Sequence, residues 1–413
     1  MPLIRPFAGL RPAPGREAEV IAPPYDVLSS EEARSLAAGK PWSFLHISKP
    51  EIDLPAGTDP HAPQVYAMAA ENLGRMLREG VLARDPAPCY YVYRLVMGRH
   101  TQTGLVAAAS VAEYESNRIR KHEHTQPEKE NDRVRQIDAL SAQTGPVMVA
   151  YPGARAIDDI LAGCSAGTPD ADATADSGVR HSLWVVRDAA IQERLTQAFD
   201  ALPAIYIADG HHRSAAASRV AAARRAANPR HTGKESYNTF LTVVFPHHQM
   251  QILDYNRVVA GLNGMDAAAL LARVREKFAV EPSRGPAKPA KPGEFGLYLA
   301  GQWYRLTIRN ELIPAGDPVA RLDARLLSDH LLAPILGIRD ARGDKRIDYV
   351  GGIRGLAELE RRVDSGEMTA AFALYPTSME DTMAVAEARM IMPTKSTWFE
   401  PKLADGLVSL VLD

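Results

Sequence analysis

The stretch AIYIADGHHRSAAASRVAAARRAA (residues 204–227) limits the possible folds more than any other part of the chain. Ile205–Ala208 form a short apolar run that Asp209-Gly210 interrupt, and from His211 the alanine and arginine content favours helix. A strand, a glycine turn and a helix start leave unpaired backbone N–H groups beside Gly210, with the positive end of the helix dipole behind them. Glycine has no Cβ, so a ligand can approach the backbone closely. His211, His212 and Arg213 surround the same point. Cationic candidates at a helix start oppose the dipole, where ordinary helix design places acids, and such a conflict points to a site. The junction therefore reads as an anion site. Arg213 would grip a phosphate through two parallel hydrogen bonds, and Asp209 would orient a histidine or hold a divalent metal. The bland alternative makes Asp209 an N-cap with the histidines solvated on the first turn.

Strand-like and helix-like segments alternate along the rest of the chain, which predicts a mixed α/β (α+β) architecture. Strands are expected at 146–151, 182–187, 204–208, 239–245, 296–300 and 304–308, with a hairpin over 89–111 turning around Gly98–Gly104. Helical patterns fall at 62–79, 266–278, 321–332, 354–363 and 378–389, and Ser29 with Glu32 matches a capping box for a helix after the double proline at 23–24. AGCSAGTPDADATADSG (162–178) reads as a loop, and EPSRGPAKPAKPGE (281–294) as either a linker or an exposed loop within one domain. A division into lobes 1–230 and 231–413 follows, with the phosphate-binding junction in the first and the second completing the site. No internal repeat or heptad seam is visible, and the sheet order is not readable.

Composition narrows the partners. With 413 residues, 46% of them hydrophobic, and a formal charge of −2, nothing draws the whole chain toward nucleic acid or an acidic membrane. Any anion chemistry is local. No run approaches the roughly 18 apolar residues of a membrane span. Cys89 and Cys164 are the only cysteines and lie far apart, so a disulfide framework or zinc ribbon is not expected, and a reducing, cytoplasmic setting fits.

Three further segments carry candidate chemistry. In APPYDVLSSEE, Tyr25 and Asp26 follow a stiff double proline; Asp26 would accept a hydroxyl proton or hold magnesium, or else merely start a turn. NRIRKHEHTQPEKENDR (117–133) is dense in charge. Arg118, Lys121, His122 and His124 would bind phosphate or carboxylate there, and Glu123 would act as acid or base, although such a run is ordinarily a solvated face. In MPTKSTWFEPK, Lys395, Ser396 and Thr397 resemble a phosphate grip without the Walker glycines, against the alternative of a structured, proline-rich tail.

IADGHHRSAAA resembles the signature of the ParB/sulfiredoxin-like superfamily, in which a strand, a Gly-x-x-Arg turn and a helix bind nucleotide phosphates. The whole chain resembles domain-of-unknown-function family 1015, on RPFAGLRP at the start, APPYDVLS at 22–29, RKHEHT at 120–125, DGHHR at 209–213 and MPTKSTWFEPKL at 392–403. The resemblance implies a ParB/sulfiredoxin-like core with large insertions and extra C-terminal elements. Sulfiredoxin carries a nucleophilic cysteine where this chain has His211, so that chemistry lacks its nucleophile. The DNA-reading helices of ParB proteins have no counterpart after residue 228, and nucleic acid is not an expected partner.

The resemblance to free-serine kinases implies a phosphotransferase acting on a small hydroxylated metabolite, free L-serine first, with ATP, ADP or pyrophosphate as donor and Mg2+ bridging the phosphates. On that reading Asp209, Gly210, His211, His212, Arg213, Lys395, Ser396 and Thr397 hold phosphate, and Asp26, His122, Glu123 and His212 are catalytic. Tyr25, Arg118 and Thr125 contact the acceptor. A ParB-like nucleotide-binding regulator without a small acceptor is the alternative, and a metal hydrolase built on the histidine pairs is a third. No metal ligand set is assigned, and a homodimer is the assembly considered.

Overall fold

The computed structural model describes residues 2–413 and divides into two compact units, one made of residues 2–250 and 401–413 and the other of 251–400. The expected division near 230 moves to 250 for a physical reason. The strand at Thr239–Pro246 lies inside the first unit's sheet, paired on both edges, and cannot leave it without opening the ladder.

That sheet has nine strands: β1 (Ile4–Arg5), β2 (Tyr90–Met97), β3 (His100–Ser110), β4 (Ile119–Arg120), β5 (Val147–Tyr151), β6 (Ala171–Thr174), β7 (Arg180–Val186), β8 (Ile205–Asp209) and β9 (Thr239–Pro246). Their order is β4-β8-β5-β9-β3-β2-β7-β6, with β1 also pairing with β3. The β8–β4 and β9–β5 pairs are parallel and the rest antiparallel, which is the mixed class expected. One face buries Tyr90, Val92, Leu105, Val149, Ile207 and Val244 among the core.

Around the sheet stand α1 (Ser30–Ala37), α2 (Pro63–Arg78), α3 (Pro127–Leu140), α4 (Arg155–Cys164), α5 (Ala189–Asp200) and α6 (His211–Ala227). The capping box forms: Ser29 Oγ accepts the Glu32 N–H while the Glu32 carboxylate accepts the Ser29 N–H. Helix α6 buries Ala216, Ala217, Val220 and Ala221 on one face, and such small side chains admit close packing against α3, where Arg219 pairs with Glu130.

Two readings change. The 162–178 segment holds the end of α4 and the strand β6, because Ala171 and Ala173 turn inward while Asp172 and Thr174 face out. The β2–β3 hairpin turns at Gly98-Arg99, and Gly104 lies inside β3, where a Cβ would come 2.6 Å from Phe245 Cδ1.

The second unit is an antiparallel sheet of β10 (Tyr255–Val259), β11 (Phe278–Ser283), β12 (Glu294–Leu299), β13 (Gln302–Ile308), β14 (Ile347–Gly351) and β15 (Ala370–Leu374), ordered β11-β13-β12-β15-β10-β14. Helices α7 (Ala267–Val274), α8 (Gly355–Asp364) and α9 (Met379–Glu387) accompany it. The proline-rich 281–294 stretch is a loop within this unit, with Ala287 buried and its carbonyl against Gly296.

Candidate active site

The Asp209–His211 junction forms as a strand, a left-handed glycine and a helix. Strand β8 carries a register irregularity between Ile207 and Asp209, which re-aims the Asp209 carboxylate at the strand's end. Gly210 has φ 99°, a conformation that strongly favours glycine, and α6 starts at His211 with no side-chain cap and no acid in its first turn. Asp209 is therefore not the N-cap. The first backbone N–H groups of α6 have no partner within the helix.

The Arg213 side chain is one-tenth exposed and turns back under the junction. Its Nη2 lies 3.5 Å from Asp209 Oδ2 and 3.7 Å from Asp26 Oδ2, while Nη1 donates to the Pro146 carbonyl. Gly145 makes room for it, since a Cβ there would stand 3.2 Å from Arg213 Cδ. Burial opposes the guanidinium charge, but Asp26, Asp209 and Asp405 around it more than restore it. Lys402 reaches Asp209 from the closing segment, Nζ to Oδ2 3.4 Å. Burial acts against the Asp209 carboxylate too, yet Lys402 and Arg213 together hold it well below the usual range.

Beneath this pair, the Arg133 guanidinium stacks 3.8 Å from the Tyr25 ring and pairs with Asp132. Burial pushes the Tyr25 hydroxyl up to about 12. Asp405 is held by two backbone hydrogen bonds to Ala22 and by the Tyr25 N–H, and burial raises its carboxyl to about 7. A cavity of about 30 Å³ lies between Tyr25, Arg133, Gln143, Gly145, Arg213 and Asp405, and among the described residues Asp405 Oδ1 meets no hydrogen-bond partner.

The histidines behave differently from a cationic cluster. The His211 ring is buried, its Nε2 accepts the His122 N–H at 3.4 Å, and its Nδ1 lies 3.6 Å from Glu123 Oε2. His122 packs edge-on against it with centroids 4.5 Å apart. Burial lowers His122 to about 4 and His211 well below its ordinary value, so both are neutral near pH 7. His212 is half-buried, is lowered mainly by burial, and takes the Gln126 N–H on Nε2, next to Thr125. The positive charge at the junction belongs to Arg213, Lys402 and Arg133.

The structure thus brings Tyr25, Asp26, His122, Glu123, Asp209, Gly210, His211, His212 and Arg213 to one end of β8. Arg118 is not with them. The parallel β4–β8 register places it at the opposite end of β8, where it bonds Asp200 and the Asp200 and Leu202 carbonyls; its donors hold the fold rather than an acceptor. Lys395, Ser396 and Thr397 belong to the second unit. There Lys395 adopts φ 59° with its Nζ 5.5 Å from the Tyr255 ring, and Ser396 Oγ donates to the Pro393 carbonyl. Sequence reasoning missed Arg133, Lys402 and Asp405. The first two stood in quoted motifs, but nothing local to Asp405 marks it.

Among the described residues, no group of three or more His, Cys, Asp or Glu side chains is placed to hold a metal ion. No helix there is long and apolar enough to cross a membrane.

Fold and site together define an α+β protein with a buried arginine at an uncapped strand-to-helix junction. The chain belongs to the family described as Protein of unknown function (DUF1015), whose model matches residues 4–325. No curated protein matches the chain. Similar solved structures include a free serine kinase in complex with AMP (12% identity, 73% of this chain and 92% of that chain, TM-score 0.36). A conserved hypothetical protein from Pyrococcus furiosus is similar at 12% identity, over 73% of this chain and 95% of that one, with TM-score 0.35. SbnI from Staphylococcus aureus, truncated at its C-terminus, is similar at 11% identity over 74% and 87%, with TM-score 0.39. Likenesses this distant carry no weight for activity.

Proposed function

We propose that the β8–Gly210–α6 junction is a ParB/sulfiredoxin-like phosphate cradle, and that the chain is a cytoplasmic phosphotransferase. It moves the terminal phosphoryl group of a nucleotide or pyrophosphate to the hydroxyl of a small metabolite, free L-serine first. One observation carries the reading. Arg213 is held, nearly buried, under an uncapped helix start, with an acidic side chain on each side of its outer nitrogen. A guanidinium fixed in that way presents its charge without reorganisation, which phosphoryl transfer requires more than any covalent chemistry from the protein.

The donor phosphates lie on the N–H groups of His211–Arg213, with Arg213 and Lys402 offsetting their charge. The acceptor hydroxyl oxygen attacks the terminal phosphorus, the bond to the leaving phosphate oxygen breaks, and Asp26 takes the hydroxyl proton. Asp26 suits this role because its side chain is 39% exposed, open to an acceptor, and yet tied to Arg213. His211 stays neutral and accepts the His122 N–H on Nε2, which fixes its ring at the first turn, with Glu123 Oε2 3.6 Å from its Nδ1. Magnesium characteristically uses one or two carboxylates together with substrate phosphates, and Asp209 fits that donor set. Bound there, the ion would neutralise negative charge on the donor phosphates.

Purified protein incubated with magnesium, each of ATP, ADP and pyrophosphate, and a panel of hydroxy amino acids tests the reading. Loss of donor phosphate matched mole for mole by phosphorylated acceptor supports it. Nucleotide binding with no acceptor phosphorylated supports a ParB-like regulator instead.

A further inference from the structure

A second site lies on the same sheet, on the side of β2, β3 and β7 that elsewhere forms core. Tyr90, Val92, Leu105 and Trp184 lie on that face and are buried. Two residues further on, the face turns polar on all three strands at once: Arg94 stands directly opposite Thr103 on one side and Ser182 on the other. The next row is Val96, opposite Thr101 and Arg180. These rows floor a cleft of about 650 Å³, walled by residues 165–167, Pro169 and Gln249.

The Arg94 guanidinium lies 4.8 Å from the Trp184 ring centre. Its Nε donates to Thr103 Oγ1 at 3.2 Å and its Nη2 to Ser165 Oγ at 2.8 Å. Both acceptors are neutral. The carboxylate that shares its row, Asp172, is occupied by Arg180 at 2.7 Å and by the Ser182 hydroxyl at 2.7 Å. Among the described residues Arg94 therefore has no acidic partner and keeps unused N–H groups, and the Gln249 amide, whose Oε1 accepts the Thr103 N–H at 2.8 Å, has no partner there for its nitrogen. Partly buried charges are ordinarily paired, and this one faces a cavity instead.

We propose that this cleft binds a polar metabolite through one oxyanion, phosphate or carboxylate, received by Arg94 with help from Gln249 and Thr101. The volume falls within the range of about 300–1,000 Å³ typical of small-molecule sites and exceeds what a bare oxyanion fills. The hydroxyl and guanidinium lining selects a hydroxylated body over an apolar one. The site shares no residue with the junction around Arg213, and the proposal stands independently of the phosphotransferase reading.

Calorimetric titration of the full chain with glycerol 3-phosphate, glycerate and inorganic phosphate tests it. The expected result is saturable binding of glycerol 3-phosphate or glycerate, with affinity reduced at least tenfold by Arg94→Gln and partly retained by Arg94→Lys. Gln249→Ala costs a few-fold. Binding of neither organic probe overturns the proposal, as does an Arg94→Gln protein that binds like the parent. Inorganic phosphate binding that Arg94→Gln weakens, and that is as tight as glycerol 3-phosphate, refutes the metabolite-sized site. Should Arg94→Gln fail to fold, the Thr101→Val/Gln249→Ala pair decides: unchanged affinity rejects the site, and a clear loss supports it.

Discussion

Lys402 Nζ lies 3.4 Å from Asp209 Oδ2, joining the closing segment of the chain to the end of β8. Replacing Lys402 by methionine keeps the length of the side chain and removes its charge. Donor affinity, measured by titration with ATP and ADP, is expected to fall about tenfold, equivalent to about 1.4 kcal/mol. An unchanged affinity would remove Lys402 from the cradle.

Arg213 is bound up with the fold as well as with the proposed ligand. Arg213→Ala leaves Asp26, Asp209 and Asp405 facing one another, and it is expected to destabilise the fold by less than a fully buried pair's cost of about 3–5 kcal/mol, since Asp26 and Asp209 are about a third or more exposed. The informative change is Arg213→Lys, which keeps the charge and discards the fork. Its melting temperature should stay within a few degrees of the parent while donor affinity drops more than tenfold. Equal affinities in the two proteins would remove the guanidinium fork, whose Nη1 already serves the Pro146 carbonyl, from donor binding.

Asp26→Asn removes the proposed base without removing the contact to Arg213 altogether. Donor binding should persist, and turnover should fall by about 10²–10⁴, the usual contribution of general base catalysis. If donor binding disappears instead, Asp26 holds the cradle together and another group takes the proton.

Asp405 makes stability depend on pH. Burial raises its carboxyl to about 7 in the folded chain, against roughly 3.9 for the unfolded one. The folded state therefore binds the extra proton between those values, and stability present below about pH 4 is lost as pH rises through 7. Asp405→Asn should melt well above the parent at pH 8 and above it by a smaller margin at pH 5. Melting curves at the two pH values check this, and parallel curves throughout would place Asp405 in a more polar setting.

Gly210→Ala places a side chain on a residue at φ 99°, with its Cβ 3.0 Å from Arg213 Cζ. Backbone strain of this kind costs about 1–3 kcal/mol. The guanidinium must also shift, so the loss of donor affinity should exceed what the fall in stability accounts for.

The local elements were legible because their signals are local. Ser29 and Glu32 formed the expected cap, and the strands at 147–151, 205–209 and 239–246 fell within a residue or two of their apolar runs. The junction was readable for the same reason: Asp209, Gly210 and Arg213 are neighbours in sequence. Asp405 was invisible, since its role depends on Ala22 and Tyr25 arriving from the other end of the chain. Arg118 misled because a charge run does not tell which side chains fold back; the parallel pairing of β4 with β8 decides that. The histidines misled through burial, which the residue type alone does not disclose and which removes the charge they were expected to bring.

Because residues 401–413 rejoin the first unit only after the whole of 251–400, where Leu410 pairs with Gln143, the order of synthesis bears on when the site can exist. A nascent chain stalled on the ribosome before residue 402 owns the glycine turn and its arginine but neither Lys402 nor Asp405. Prematurely terminated products would thus be born without the last pieces of the cradle, however well their sheet had assembled.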